Sequence, residues 1–189
     1  SSEPALHHLT SNGDIAPGWP VGGIRLCMQP GSQIPQALVP DGLGGVYAVW
    51  RDGRGAYTSP PRLLDVFGLH ILADGSMAPG WITDGLPVAA TTKAEEFTAA
   101  VPDGLGGLYV GWELRNPIAG DPQDAFAIHL FADGTPAPGW PAGGMPVAPT
   151  PGHQLGPLLA PDSEGGVLVL YVQAGSNSDV RIRRLTSDG

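Results

Sequence analysis

The chain of 189 residues holds 29 glycines and 21 prolines, a share that in isolation suggests low complexity. A hydrophobic fraction of 42% and a mean hydropathy of +0.02 argue instead for a chain that can build a core. A net charge of -9 is the wrong sign for binding nucleic acid, no apolar run approaches the ~18 residues of a membrane span, and a single cysteine, Cys27, excludes an internal disulfide while leaving the redox compartment open.

Length allows one or two domains. Because Ser1 rather than Met opens the chain, a processed or longer protein is expected, and no signal peptide is visible.

The expected elements come in a repeating order. A strand over residues 5–10 runs into Ser11-Asn12-Gly13 and then Pro17-Gly18-Trp19, with a short strand near Ile24. An inner strand at 36–39 leads into Asp41-Gly42-Leu43-Gly44-Gly45 and a β-rich strand at 46–50. A connection opening Arg51-Asp52-Gly53-Arg54-Gly55-Ala56-Tyr57 follows, then Asp65 and a third strand at 66–72. The cycle restarts with Ala73-Asp74-Gly75, Pro79-Gly80-Trp81, a short strand near Leu86 and an inner strand at 98–101. Asp103 to Gly107, a strand at 108–112, the connection from Glu113-Leu114-Arg115-Asn116, Asp124 and a strand at 125–131 complete it. The last copy has Asp133-Gly134, Pro138-Gly139-Trp140, a strand near Met145, strands at 157–160, 167–171 and 180–186, and Asp179. Its hairpin is degenerate, Asp162-Ser163-Glu164-Gly165-Gly166, and its connection is 173–178. Asp-Gly and paired glycines supply the positive φ of tight turns, and no stretch shows sustained helical periodicity free of Gly and Pro.

From turn glycine to hairpin aspartate is 28 residues in every copy (13 to 41, 75 to 103, 134 to 162), while the full periods are 62, 59 and 55. From the hairpin aspartate to Asp65, Asp124 or Asp179 the distances are 24, 21 and 17, so one connection per repeat absorbs the length variation. Four antiparallel strands per unit predict an all-β fold of about three β-propeller blades; a β-sandwich leaves the threefold repeat unexplained. We expect a single repeat region over 1–189, with units near 13–74, 75–133 and 134–188. Closed propellers have about 4–8 blades. Third strands at both 5 and 180 exceed what three blades need, so a segment of a longer propeller is expected, with self-association through exposed edges as the alternative.

The hairpins and Pro-Gly-Trp turns should share one face as scaffold, and the variable connections should carry any site on the other. Candidate ligand-binding residues there are Trp50, Arg51, Asp52, Arg54, Tyr57, Trp112, Glu113 and Arg115. Gln33, Glu95 and Gln154, each eight residues before a hairpin aspartate, are expected in the links between units, where they could ring a central channel or simply cap strands. Trp19, Trp81 and Trp140 recur at one position and are expected to pack between units. His8, His70 and His129 recur likewise, with Arg184 in the last copy, and are expected as hydrogen-bonded core side chains rather than metal ligands. The acids Glu3, Asp65, Asp124 and Asp179 fall on the opposite strand face, where an aspartate could pair with Arg54 or Arg115. No nucleophile, zinc, calcium-loop or phosphate-loop motif appears, so no cofactor, metal or catalytic residue is expected.

The string from Pro40 to Asp52 resembles bacterial secreted propeller repeats with a D-G-x-G-G-x-x-V-x-W-x-D signature. The Ala-Asp-Gly-x-x-x-Pro-Gly-Trp string is similar to that of FG-GAP-type propellers, some of which are lectins; their calcium-binding Asp ladder is missing here. Sialidase-type Asp boxes set Trp five residues after Asp, against seven from Asp74 to Trp81, which does not support that family. The resemblance implies a secreted or cell-surface, non-catalytic binding or scaffold module whose ligand is a glycan or a protein. The alternatives are a hydrolase or lyase using Asp52, Glu95, Glu96 and Glu113, or a purely architectural segment of a larger surface protein.

Overall fold

A computed structural model describes residues 4–54, 63–115 and 123–189, with Phe97 described by its backbone alone. Every helix or strand among these residues is a strand, and the thirteen strands form four antiparallel sheets.

The first is a strand pair, β1 (Ala5–Leu6) with β2 (Ile24–Arg25). Sheet I runs in chain order through β3 (Gln33–Pro40), β4 (Val46–Asp52), β5 (Asp65–Ile71) and β6 (Leu86–Ala89). Sheet II repeats it with β7 (Ala94–Pro102), β8 (Leu108–Arg115), β9 (Asp124–Leu130) and β10 (Met145–Pro146). Sheet III has β11 (His153–Pro161), β12 (Val167–Ala174) and β13 (Asp179–Leu185).

Two expectations need correction. The strand expected at 5–10 shortens to β1 plus an isolated Leu9–Ile15 bridge. The inner strands begin three or more residues earlier than the pattern suggested, so Gln33, Glu95 and Gln154 lie within β3, β7 and β11 rather than in links. The physical reason is a bulge in each strand, between Pro35 and Ala37, Glu96 and Ala99, and Leu155 and Leu158. A bulge accommodates proline or glycine and lets pairing resume beyond it, which hides the strand's first half from a period-two reading.

Each hairpin is set by its aspartate. Asp41 Oδ1 accepts from the Leu43 and Gly45 N–H at 2.7 and 2.8 Å, and Asp103 does the same for Leu105 and Gly107. Gly45 is required because a Cβ there would run into the Asp41 carboxylate and the Ile71 carbonyl.

Successive sheets are fastened by the recurring tryptophans and histidines. Trp81 Nε1 donates to the Ala132 carbonyl at 2.8 Å, and Trp140 Nε1 to that of Ser187 at 3.0 Å. His70 sits with Nε2 3.0 Å from Asp41 Oδ2 and Nδ1 3.1 Å from the Ala132 carbonyl, and stacks on Tyr47 at 4.0 Å. His129 repeats this with Asp103, Ser187 and Tyr109. The core lies between the sheets: one apolar cluster runs from Leu6 to Leu130, and a second from Tyr109 to Leu185.

Candidate functional site

Antiparallel order sends the hairpins and Pro-Gly-Trp turns to one end of the sheets and the variable connections to the other. The turn end holds a groove of about 630 Å³ walled by Leu43, Leu72, Pro79 and Leu105. Its polar side chains are already hydrogen-bonded, Asp41 to His70, Asp74 to Ser76 and Asp133 to Thr135, so that groove presents mostly apolar surface. Among the described residues, most buried polar atoms without a hydrogen-bond partner, including Arg51 Nε, Arg54 Nε, Glu95 Oε2 and Gln154 Oε1, lie toward the other, strand end.

Between the strand pair and sheet I, Asp52 is buried and fully occupied. It accepts from Trp50 Nε1, from Arg54 Nη2 and from the Arg54 N–H, each at 2.8 Å. Burial works against its ionisation, but these bonds, led by that of the Arg54 side chain, hold its carboxyl below the usual range. The Arg54 guanidinium also lies 3.8 Å over the Phe67 ring and 3.4 Å from the Cys27 thiol, which burial pushes up in pKa. The sequence suggested a recurring acid such as Asp65 as the partner of Arg54; the partner is Asp52, two residues away.

Between sheets I and II, Glu95 is fully buried, and its N–H donates at 2.8 Å to the carbonyl of Leu64, the residue before β5 of sheet I. Its carboxyl accepts from the Thr91 hydroxyl at 2.6 Å and lies close enough to Asp65 to feel its charge. Burial above all, with Asp65 adding to it, pushes Glu95 up to about 8; burial likewise raises Asp65. At neutral pH burial thus favours the protonated form of Glu95. Gln33 and Gln154 occupy the same position in the other sheets, the neutral isostere of a protonated glutamate.

The strand end opens between sheets II and III, in a cleft of about 410 Å³ lined by Glu113, Arg115, Gln123, Leu155, Gly156 and Val172. Gly156 and Pro157 lie at the β11 bulge, and with φ at 57° Gly156 turns its N–H onto Glu113 Oε2 at 3.0 Å. With its amide nitrogen toward Glu113, Gln123 donates to Oε1 at 3.2 Å and accepts from Arg115 Nε at 2.9 Å. Arg115 Nη1 donates to Glu96 Oε2 at 3.2 Å, and the Gln123 N–H donates to His153 Nδ1 at 3.0 Å. Burial, with Glu96 adding, raises the pKa of Glu113 against the pull of Gly156, Arg115 and His153. The cleft thus presents a fixed carboxyl, guanidinium and amide over an apolar floor.

Of the sequence candidates, Glu113 and Arg115 meet in this cleft. Asp52 and Arg54 form their own clamp, with Gln33 donating nearby to the Gln29 carbonyl at 3.2 Å. Arg51, half-buried, matches Glu113 in the register of sheet I. Trp50 and Trp112 are buried, stacked on Phe67 and Phe126. Gln154 donates to the Thr150 and Gly152 carbonyls beneath β11. Tyr57 lies outside the described residues. Gln123, Gly156 and His153 escaped the sequence reading because Leu64 and Ser178 match Gln123 in the other units, so no repeat marks it. Among the described residues, no three His, Cys, Asp or Glu side chains converge to hold a metal ion. Comparison with family models, curated proteins and solved structures finds no match to this chain.

Proposed function

We propose that this chain is a non-catalytic, extracellular binding module of β-propeller repeats that takes a glycan at its strand end. The propeller reading is supported by successive four-stranded antiparallel sheets fastened by the same Asp, His and Trp at fixed spacing. The extracellular setting rests on the resemblance to secreted repeats. The observation that carries the ligand reading is the cleft formed by Glu113, Arg115 and Gln123. Adjacent acceptor and donor groups held by one another suit neighbouring hydroxyls, and about 410 Å³ is the scale of a small-ligand pocket. Its chemistry is not repeated between sheets I and II, where Arg51 and Leu64 replace Glu113 and Gln123. The described part of the chain therefore offers one such cleft. Binding of a protein at the same face is the broader form of this reading.

A glycan array followed by calorimetry tests it. Wild type should retain at least one glycan class, with Arg115→Ala weakening affinity ten-fold or more and Glu113→Gln doing so to a smaller degree. An empty array at high protein concentration would remove the glycan reading.

One observation favours a second reading. Glu113 is buried, raised in pKa and close enough to Glu96 to feel its charge, an acid and a carboxylate of the kind used in glycoside cleavage. Turnover of a retained glycan, lost in Glu113→Gln with binding kept, would select it.

A further inference from the structure

We propose that the apolar groove at the turn end, between sheets I and II, docks a short segment of a partner protein in which basic side chains flank an apolar one. The proposal stands apart from the ligand reading at the strand end.

The groove is built from two matching halves. Sheet I contributes Leu43 from its hairpin and Asp74 from the turn after β5; sheet II contributes Leu105 and Asp133 from the equivalent places. Leu72 and Pro79 add to the apolar lining, and about 630 Å³ is the scale of a pocket that a few side chains fill. Leu43 and Leu105 are 83% and 85% exposed, so both project apolar surface that the fold itself leaves in water.

The two tips are held ready. Asp41 and Asp103 each fix the leucine N–H at 2.7 Å. The Tyr47 hydroxyl of sheet I donates to the Gly106 carbonyl, next to Leu105. That bond ties the second hairpin to the first sheet, so an incoming segment meets joined walls rather than loops it must order. Binding then loses little to conformational entropy on this side of the interface.

The acids set the charge of the occupant. Asp74 Oδ1 accepts from the Ser76 N–H at 2.9 Å and hydroxyl at 2.6 Å, and Asp133 Oδ1 accepts from those of Thr135 at the same distances. These bonds, the hydroxyl's first, hold both carboxyls below the usual range and so ionised at neutral pH. Among the described residues, no Lys or Arg lines the groove, and every arginine ion pair goes to another acid. Two exposed carboxylates without a cation, beside apolar walls, complement ammonium or guanidinium groups on either side of an apolar side chain. The same acids, on a chain of net charge -9, repel an anionic membrane surface and a second copy of the chain.

An array of hexapeptides varied in basic, apolar and acidic content tests this, with hits measured by fluorescence anisotropy. Peptides holding leucine between lysines or arginines should be retained, and their counterparts with serine for leucine, or glutamate for the basic residues, should bind about ten-fold more weakly or worse. Leu43→Ser together with Leu105→Ser should weaken the hits by about the same factor. Asp74→Asn together with Asp133→Asn should weaken them roughly two- to five-fold and flatten their salt dependence. An amide oxygen still accepts from Ser76 and Thr135, so the turns are kept. Should the leucine pair fail to fold, Leu105→Ser alone carries the test, read against an unchanged melting temperature. An array with no preference for basic–apolar peptides, or hits that the leucine substitutions leave intact, would overturn the proposal. Binding to phosphatidylserine vesicles, or growth in mass with concentration, that the same substitutions abolish would also overturn it, giving the groove to a membrane or to a second copy.

Discussion

The two ends of the sheets treat their carboxylates in opposite ways. At the turn end, Asp41 is held below the usual carboxylate range although burial opposes it, because His70 and two backbone N–H groups bond the ionised form. Asp74 and Asp133 are likewise lowered by a Ser or Thr two residues on, and Asp162 by Arg184. At the strand end, Asp65, Glu95 and Glu113 are all raised, by burial first and then by a neighbouring acid, Asp52, Asp65 and Glu96 respectively. Asp52, clamped by Arg54 and Trp50, and Asp84 beside that clamp, bonded by Gln29 and the Met28 N–H, go the other way. The turn end repeats because each acid there has a fixed set of donors that any copy must reproduce. The strand end varies because its acids depend on whatever the neighbouring connection supplies. Repetition therefore marks solved structure, and its breakdown marks where new chemistry can enter.

The largest way to break that contrast is at the turn end. Trp81 packs against Tyr47 and His70 and bonds the Ala132 carbonyl, tying sheet I to sheet II. Trp81→Ala should destabilise by about 3–5 kcal/mol in urea unfolding, through the lost transfer energy and the cavity left behind. A loss below about 1 kcal/mol would mean that the sheets are held together by something other than the tryptophan.

The raised pKa of Glu95 beside Asp65 sharpens the comparison next. A carboxyl whose folded pKa lies above its unfolded value contributes stability at low pH that is lost as pH rises. For Glu95 that loss falls between the unfolded value of 4.5 and about 8. Asp41, lowered from 3.8, contributes in the opposite sense: its stabilisation is present at neutral pH and lost as pH falls through its folded pKa. Glu95→Gln should thus leave stability near pH 4 almost unchanged and raise it on the order of a few kcal/mol at pH 9. Melting temperatures across pH check it: a wild-type profile that stays flat from pH 5 to 8 and is unaltered by the substitution would exclude a buried proton.

How much of this was legible follows the same division. Strand order, turn positions and the placement of Trp19, Trp81 and Trp140 could be read because glycine and aspartate leave a local signature at fixed spacing. The bond from Asp41 to His70 could not be read from spacing within one strand, since 29 residues and a hairpin separate them. The signal was there in retrospect: where histidine gives way to Arg184, arginine still reaches the hairpin acid, Asp162. The cleft was half visible. Glu113 and Arg115 stood out as charges on a variable connection, whereas Gln123 and Gly156 acquire meaning only once the β11 bulge turns a backbone N–H onto Glu113. A bulge is set by three-dimensional pairing and leaves only a Gly-Pro as its trace.

The smallest expected effect separates two kinds of identity at the turn end. Asp41, Gly42, Gly44 and Gly45 recur for reasons of geometry, but Leu43 and Leu105 recur too and are 83% and 85% exposed. Nothing in the hairpin uses their side chains, because the contact of Leu105 with Asp103 is through its backbone N–H. The third copy already carries Glu164 at this position, with the same backbone bond to Asp162 at 2.8 Å. Leu105→Glu should therefore change stability by no more than about 0.5 kcal/mol, as for surface substitutions generally. A much larger loss would show that the leucine belongs to the scaffold. A neutral result would leave Leu43 and Leu105 as apolar tips beside a groove of about 630 Å³, and would confine the structural meaning of the repeat to its aspartates and glycines.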